Sequence, residues 1–169
     1  MNTNLLFDFL VDKENNTLIV RREFAAAPEL VWAAYTQSEL LDQWFAPKPW
    51  SAVTKHMDFR PGGYWLYAMR GPEGEEHWSR MDYEKVEPIT SYTGRDSFCD
   101  ADGNINNDLP SAIWYATFDP VADYTLVQTV VAYPALEDLE AIIKMGMKDG
   151  LTLAMEGLDE VLLTLSKKA

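Results

Sequence analysis

Seven charged or titratable side chains lie on predicted strands, where a sheet could hold them at the wall of a cavity. They are Asp58, Arg60, Glu76, His77, Arg80, Asp82 and Asp96. Acid–base catalysis needs a titratable group held in this way. No pair among them has a spacing diagnostic of a catalytic motif, and the acidic run around His77 favours a solvated surface histidine. The sequence therefore identifies no catalytic residue.

Nucleophilic and metal chemistry have weaker candidates. Cys99 precedes Asp100, whose charge opposes formation of a thiolate, and no serine lies in a nucleophile-elbow sequence. Residues 100–104 resemble part of a calcium loop, but the later glutamate of an EF-hand is missing, so we interpret them as a hairpin turn. Two histidines and one cysteine cannot supply a structural zinc site. We predict no metal and no cofactor.

Large apolar side chains recur on one predicted hairpin. Trp65, Tyr67 and Met69 alternate along one strand and therefore share one face of it. Pairing across the turn of residues 71–74 would place Trp78 opposite Tyr67. These rings could form plain core, or they could line an apolar pocket in which Trp and Tyr supply the few hydrogen-bonding groups. Both interpretations stay open.

A stripe of small residues marks the predicted C-terminal helix. Gly146, Gly150, Ala154 and Gly157 recur at steps of four, four and three. Each glycine inside a helix costs about 1 kcal/mol relative to alanine, so their presence calls for a reason. Three explanations are open: close packing against the sheet, space for a ligand, or a break near Gly146 that separates a short helix from the main one.

The elements that would position these residues follow from apolar periodicity and turn residues. Strands are predicted at 17–24, 52–59, 64–70, 77–87, 91–98, 112–119 and 124–133, short helices at 28–35 and 39–45, and a long helix at the C-terminus. About seven consecutive strands favour an antiparallel sheet. We predict an N-terminal arm over residues 1–16 and a single domain over residues 17–169.

Composition and charge narrow the class of protein. Hydrophobic residues make up 47% of the chain and aromatic residues 12%, which excludes intrinsic disorder. Asp and Glu number 27 against 14 Lys and Arg, a formal charge of −13 that repels nucleic acids and anionic membranes. The single cysteine fits a reducing compartment, and we find neither a secretion signal nor an apolar run long enough to span a bilayer. The sequence therefore predicts a cytoplasmic protein.

Six dispersed stretches of the sequence match one known pattern. They are Arg21–Pro28 with Val31 and Trp32, Leu40–Pro47, Met57–Gly63, Met69–Gly74, Tyr83–Pro88 and Gly150–Leu163. Together they resemble the SRPBCC (START-like) superfamily, in particular its branch related to the Hsp90 ATPase activator domain. The resemblance implies an α+β helix-grip fold: a curved antiparallel sheet wrapped around a long C-terminal helix, with a cavity between the two.

The resemblance implies several functions, because the superfamily includes lipid carriers, hormone receptors, cyclases and co-chaperones. Our leading hypothesis is binding of a small apolar or aromatic molecule in the cavity. Its expected contacts are Trp44, Phe45, Trp65, Tyr67, Met69, Trp78, Trp114, Met147, Gly150 and Leu151. Trp44 and Phe45 are expected near the entrance, as a gate.

Two alternatives use the same scaffold. A cyclase- or hydratase-like enzyme would be favoured if a carboxylate, a tyrosine and an arginine converged on the cavity with perturbed pKa values. A module that binds a chaperone would be favoured if the cavity were filled and an apolar patch were exposed elsewhere. The sequence indicates no oligomeric state.

Overall fold

The computed structural model of the protein describes residues 5–168. It contains one sheet of eight antiparallel strands, with the order β1-β2-β8-β7-β6-β5-β4-β3. The strands are β1 (Phe7–Asp12), β2 (Thr17–Phe24), β3 (Ser51–Met57), β4 (Tyr64–Arg70), β5 (Glu76–Glu87), β6 (Ser91–Phe98), β7 (Ala112–Val121) and β8 (Tyr124–Ala132). The helices are α1 (Pro28–Thr36), α2 (Ser38–Trp44), α3 (Leu136–Lys144) and α4 (Met147–Lys168). The predicted α+β fold with a long C-terminal helix is confirmed.

The sheet has one strand more than the sequence predicted. The additional strand is β1, which lies inside the predicted N-terminal arm and pairs with β2 from Phe7 opposite Arg22 to Asp12 opposite Thr17. Phe7 and Phe9 pack against the core, whereas Leu10 and Val11 are exposed. The six-residue strand is short and half-exposed, so its periodicity is weak. The first four residues of the predicted arm lie outside the described residues.

The core lies between the concave face of the sheet and the helices. Alternate residues of β2 are buried, Leu18, Val20 and Phe24 among them, as expected for a strand with one apolar face. The helix α4 buries a stripe at helical spacing against this face and against α1 and α2. Its buried residues are Ala154, Met155, Leu158, Val161 and Leu162.

The glycines of the stripe have different surroundings, and neither Gly150 nor Gly157 has the sheet within 4 Å of an added Cβ. Gly146 ends α3 with φ of +89°, a left-handed conformation that favours glycine, so the chain breaks there and α4 begins at Met147. At Gly157, an added Cβ would lie 3.7 Å from Cβ of Trp44, which is ordinary contact distance, so this position lies directly against α2. Gly150 faces the cavity described below.

The expected pairing of Trp78 with Tyr67 is wrong by one residue. The loop between β4 and β5 contains five residues rather than four, because Glu75 belongs to it and its carbonyl accepts a hydrogen bond from the backbone N–H of Gly71. Tyr67 therefore lies opposite Ser79, and Trp78 lies opposite Ala68. A shift of one residue moves a side chain to the other face of a sheet. Trp78 is on the convex face, where Lys55 lies over its ring.

None of the helices within residues 5–168 is both long enough and apolar enough to cross a membrane.

Candidate functional site

A cavity of about 500 Å³ lies between the concave face of the sheet and the helices. Its floor is made by β4, β5, β6 and β7, and the opposite wall is made by α2, the segment after it, and the first turns of α4. Cavities that bind small molecules typically measure about 300 to 1,000 Å³ and are mostly apolar. The lining residues are Trp44, Phe45, Pro47, Trp50, Tyr67, Met69, His77, Ser79, Asp96, Phe98, Trp114, Tyr133, Ile142, Met145, Gly146, Met147, Gly150, Leu151 and Ala154.

Packed aromatic rings form one side of the cavity. Phe45 contacts Tyr67 edge to face, with ring centroids 5.5 Å apart, and Tyr67 stacks on Trp65 at 3.8 Å. Trp44 is only 3% exposed, and its indole N–H donates a 2.9 Å hydrogen bond to the carbonyl of Ala34. Trp44 is therefore a fixed part of the wall and not a gate, because a buried and hydrogen-bonded ring cannot swing aside cheaply.

The polar groups of the cavity gather on β4, β5 and β6. The hydroxyl of Tyr67 donates a 3.5 Å hydrogen bond to Oδ1 of Asp96, and Ser79 lies beside Tyr67 in the β4–β5 pair. Burial raises the pKa of Asp96 to about 7, while the hydrogen bond from Tyr67 acts in the opposite direction. Burial, together with the nearby Asp96, raises the pKa of Tyr67 well above its ordinary value. Asp96 thus changes charge near neutral pH.

Trp114 on β7 also lines the cavity. Its indole nitrogen is buried and has no hydrogen-bond partner among the described residues. Trp114 also separates the main cavity from a void of about 20 Å³ on its other side, together with Trp44, Phe45, Met147 and Leu151. Buried indole N–H groups usually find a partner, and this one has none among the described residues, although its nitrogen is not exposed to the cavity.

The cavity opens where α3 meets α4. Met145 at this junction is 75% exposed, and Gly146 follows it. On the other side of the mouth, the ring of Trp50 stacks on His77 at 5.5 Å. His77 is exposed, as the sequence predicts, but it lies at the rim of the cavity. The junction and this stacked pair therefore form the entrance.

Gly150 leaves part of the cavity open. A Cβ added to this residue would have Cγ of Pro47, 3.8 Å away, as its nearest neighbour. This distance is ordinary van der Waals contact, so an alanine would fit, and a longer side chain would extend into the cavity.

The structure brings eight of the ten predicted contacts to the cavity. They are Trp44, Phe45, Tyr67, Met69, Trp114, Met147, Gly150 and Leu151. Trp65 lies behind Tyr67, and Trp78 lies on the other face of the sheet for the reason given above. The list of contacts lacked Asp96, although it was an acid–base candidate. The alternation of β6 would have found it, since Asp96 and Phe98 share a face once the pairing of β5 and β6 is known.

The other titratable candidates are held elsewhere. Arg80 pairs with Asp82 on the convex face and also binds the carbonyl of Gly103. Asp58 pairs with Arg60, and Glu76 pairs with Arg70. A carboxylate and a tyrosine therefore converge on the cavity, but no arginine is among its lining residues. Within residues 5–168, no cluster of three or more His, Cys, Asp or Glu side chains could hold a metal ion.

Comparison with known proteins gives a family and several similar structures. The family "Activator of Hsp90 ATPase homolog 1-like protein" matches residues 25–163. The crystal structure of protein Ms6760 from Mycobacterium smegmatis is 30% identical, with a TM-score of 0.85 over 94% of this chain and 96% of that one. Solution structures of proteins from Arthrobacter aurescens and Staphylococcus epidermidis are each 25% identical. Their TM-scores are 0.86 (93% of this chain, 91% of that one) and 0.82 (91% and 93%). No curated protein matches the sequence.

Proposed function

We propose that this chain, which belongs to the family of activator of Hsp90 ATPase homolog 1-like proteins, binds a small apolar or aromatic molecule in the cavity between its sheet and α4. The observation that carries the proposal is the cavity itself, about 500 Å³ in volume and lined mainly by aromatic and aliphatic side chains. Its size matches that of small-molecule sites in other proteins.

Packing physics supports this reading of the cavity. Protein interiors are as dense as organic crystals, and their voids rarely exceed a water molecule. Because this cavity opens to solvent at the junction of α3 and α4, it is a cleft of the size and apolar lining typical of small-molecule sites and not a void of the interior. An apolar ligand would gain about 25 cal/mol for each Å² of apolar surface removed from water, on the protein as well as on itself.

Gly150 supports the proposal from the helix side. A glycine in the first turns of a helix lowers helix stability by about 1 kcal/mol relative to alanine. Because an alanine would fit at this position without a clash, close packing does not require the glycine. The glycine instead keeps volume free on the wall that faces Pro47.

The test fills this volume and measures binding and stability together. The probe is N-phenyl-1-naphthylamine, a neutral apolar dye whose fluorescence rises in apolar surroundings. We expect wild type and Gly150→Ala to bind the dye with affinities within about two-fold of each other. Gly150→Leu should bind at least roughly ten-fold more weakly, a loss of about 1.4 kcal/mol, because its side chain occupies ligand space.

Urea unfolding of the same three proteins separates this result from a folding defect. The free energy of unfolding of Gly150→Leu should stay within about 1 kcal/mol of that of Gly150→Ala, because the new side chain enters open space. If wild type does not bind the dye, or if Gly150→Leu binds it as well as wild type does, the proposed site is wrong.

A further inference from the structure

The charges at the cavity wall have one sign. Asp96 is the single carboxylate among the residues that line the cavity, and neither a lysine nor an arginine is among them. Burial and the hydrogen bond from Tyr67 are the causes of the shift in the pKa of Asp96, and no cation contributes to it. The carboxylate of Asp96 is therefore a half-buried acid without a positively charged partner in the described part of the chain.

A half-buried carboxylate without a cationic partner favours some ligands and rejects others. An anionic ligand, such as a fatty acid, would bring a second negative charge next to Asp96 with no cation to neutralise it. A ligand cation would supply the missing partner, and charge-assisted hydrogen bonds are the stronger kind. The formal charge of −13 on the chain acts in the same direction, because it attracts cations and repels anions over long distances.

The rings of the wall suit a cation as well as an apolar body. Trp44, Phe45, Tyr67 and Trp114 all line the cavity that Asp96 faces. The faces of aromatic rings attract ammonium groups, and the attraction is stronger when the pair is shielded from water. The same rings would pack against the apolar part of a ligand.

From this arrangement we propose that the ligand is an apolar amine: an aromatic or alicyclic body that carries one protonated nitrogen, with the nitrogen paired to Asp96 in the cavity. This inference rests on the proposed function and names the class of its ligand. The ammonium group would donate to the carboxylate of Asp96 beside the hydroxyl of Tyr67. The apolar body would extend along the aromatic wall towards Gly150.

Binding of such a ligand would depend on pH through Asp96. The titratable groups around it are Tyr67 on β4, His77 and Tyr83 on β5, Tyr92 on β6, Cys99 after β6, and Tyr133 after β8. The pKa values of all four tyrosines are raised by burial, so these phenols stay neutral at neutral pH. An ammonium ligand would favour the ionised form of Asp96.

The experiment compares three probes with one shared body and different charges. They are 1-naphthylmethylamine, which is cationic, 1-naphthylmethanol, which is neutral, and 1-naphthaleneacetate, which is anionic. Each is measured by displacement of N-phenyl-1-naphthylamine. We expect wild type at about pH 8 to bind the amine roughly ten- to a hundred-fold more tightly than the alcohol, the range that corresponds to a hydrogen bond with a charged group. The acetate should bind more weakly than the alcohol.

Two variants assign the preference to Asp96. Asp96→Asn keeps the shape of the side chain and removes its charge, and we expect the ratio of amine affinity to alcohol affinity to fall to about one in this variant. Glu156→Gln is the matched control, since it makes the same change in net charge on the exposed face of α4 and should keep the preference. Thermal unfolding of both variants checks their folding.

A pH series on wild type tests the inference without any variant at Asp96. The ratio of amine affinity to alcohol affinity should rise several-fold from about pH 5 to about pH 8 as Asp96 ionises, while an alkylamine stays protonated. If the affinity ratio of His77→Gln rises by the same factor over this pH range, the histidine is not the source of the rise.

The outcomes separate this inference from the proposed function. If the alcohol or the acetate binds as tightly as the amine, or if Asp96→Asn keeps the preference, the amine class is wrong and a neutral or anionic ligand replaces it. In that case the cavity is still a binding site. If none of the three probes displaces the dye, or the dye does not bind, both proposals fail.

Discussion

Asp96 sets the electrostatics of the cavity and also weakens the fold above neutral pH. Its pKa in the folded protein is about 7, whereas the ordinary value is 3.8. The folded protein therefore keeps this proton over a pH range in which the unfolded chain has released it. The stabilisation that results is fully present below about pH 4 and is lost as the pH rises through about 7.

Asp96→Asn should remove this pH dependence, because an amide does not ionise. We expect the variant to gain stability relative to wild type between about pH 4 and about pH 8, by an amount on the order of 1 to 4 kcal/mol. Urea unfolding at both pH values measures the difference. For Glu156→Gln, whose side chain is exposed, the difference from wild type in the free energy of unfolding should not change with pH. If the difference for Asp96→Asn does not change with pH either, the carboxyl of Asp96 is not buried in solution.

The glycines at the start of α4 have opposite conformational demands, although the sequence presents them as one stripe. Gly146 has a left-handed conformation and has nothing within 4 Å of an added Cβ, so backbone strain alone opposes substitution there. Gly150 is helical and accepts a Cβ at ordinary contact distance. The break at Gly146 places Met145 and Met147 at the mouth of the cavity.

Alanine substitutions at these two positions should therefore act in opposite directions. Gly146→Ala is expected to lower the free energy of unfolding by roughly 1 to 2 kcal/mol, the cost of a left-handed residue with a Cβ. Gly150→Ala is expected to raise it by up to about 1 kcal/mol through helix propensity. Urea unfolding of both variants checks this prediction. Stabilisation by Gly146→Ala would contradict the helix break and favour one continuous helix.

Much of the architecture could be predicted from sequence because periodicity and turn residues are local signals. They predicted both short helices, the seven longer strands and the C-terminal helix. They did not predict β1, whose half-exposed residues alternate weakly, and they misplaced Trp78 because the length of one loop determines the register of its strands. Asp96 was not assigned to the cavity for a related reason: which face of β6 it occupies depends on the register of β6 with β5, and that register shifts at a bulge.

At the scale of the whole molecule, β1 completes one edge of the sheet. It pairs with β2 along its full length, Asp8 forms an ion pair with Arg21, and Phe7 and Phe9 cover the core. Without β1, the backbone groups of β2 would form an exposed edge and the two rings would leave apolar surface uncovered.

Deleting residues 1–12 should therefore destabilise the fold. We expect a loss on the order of 3 kcal/mol or more, with each 1 kcal/mol lowering the melting temperature by about 2 to 4 °C in a chain of this size. Differential scanning calorimetry measures the change. Leu10→Ser is the matched control, because Leu10 is 49% exposed, and it should have little effect. An unchanged melting temperature after the deletion would show that β1 does not contribute to the core.

The central claim, that a small molecule occupies the cavity between sheet and α4, can be tested by following the six tryptophans during a ligand titration. Each tryptophan gives one indole N–H signal in a ¹H–¹⁵N spectrum, and Trp→Phe variants assign them. On addition of 1-naphthylmethanol, the signals of Trp44, Trp50 and Trp114, which line the cavity, should shift. The signals of Trp32 and Trp78 should not shift. Trp32 is packed between Phe59 and Phe118, and Trp78 lies on the convex face. Shifts confined to Trp32 or Trp78, or no shift at all, would contradict binding in the cavity.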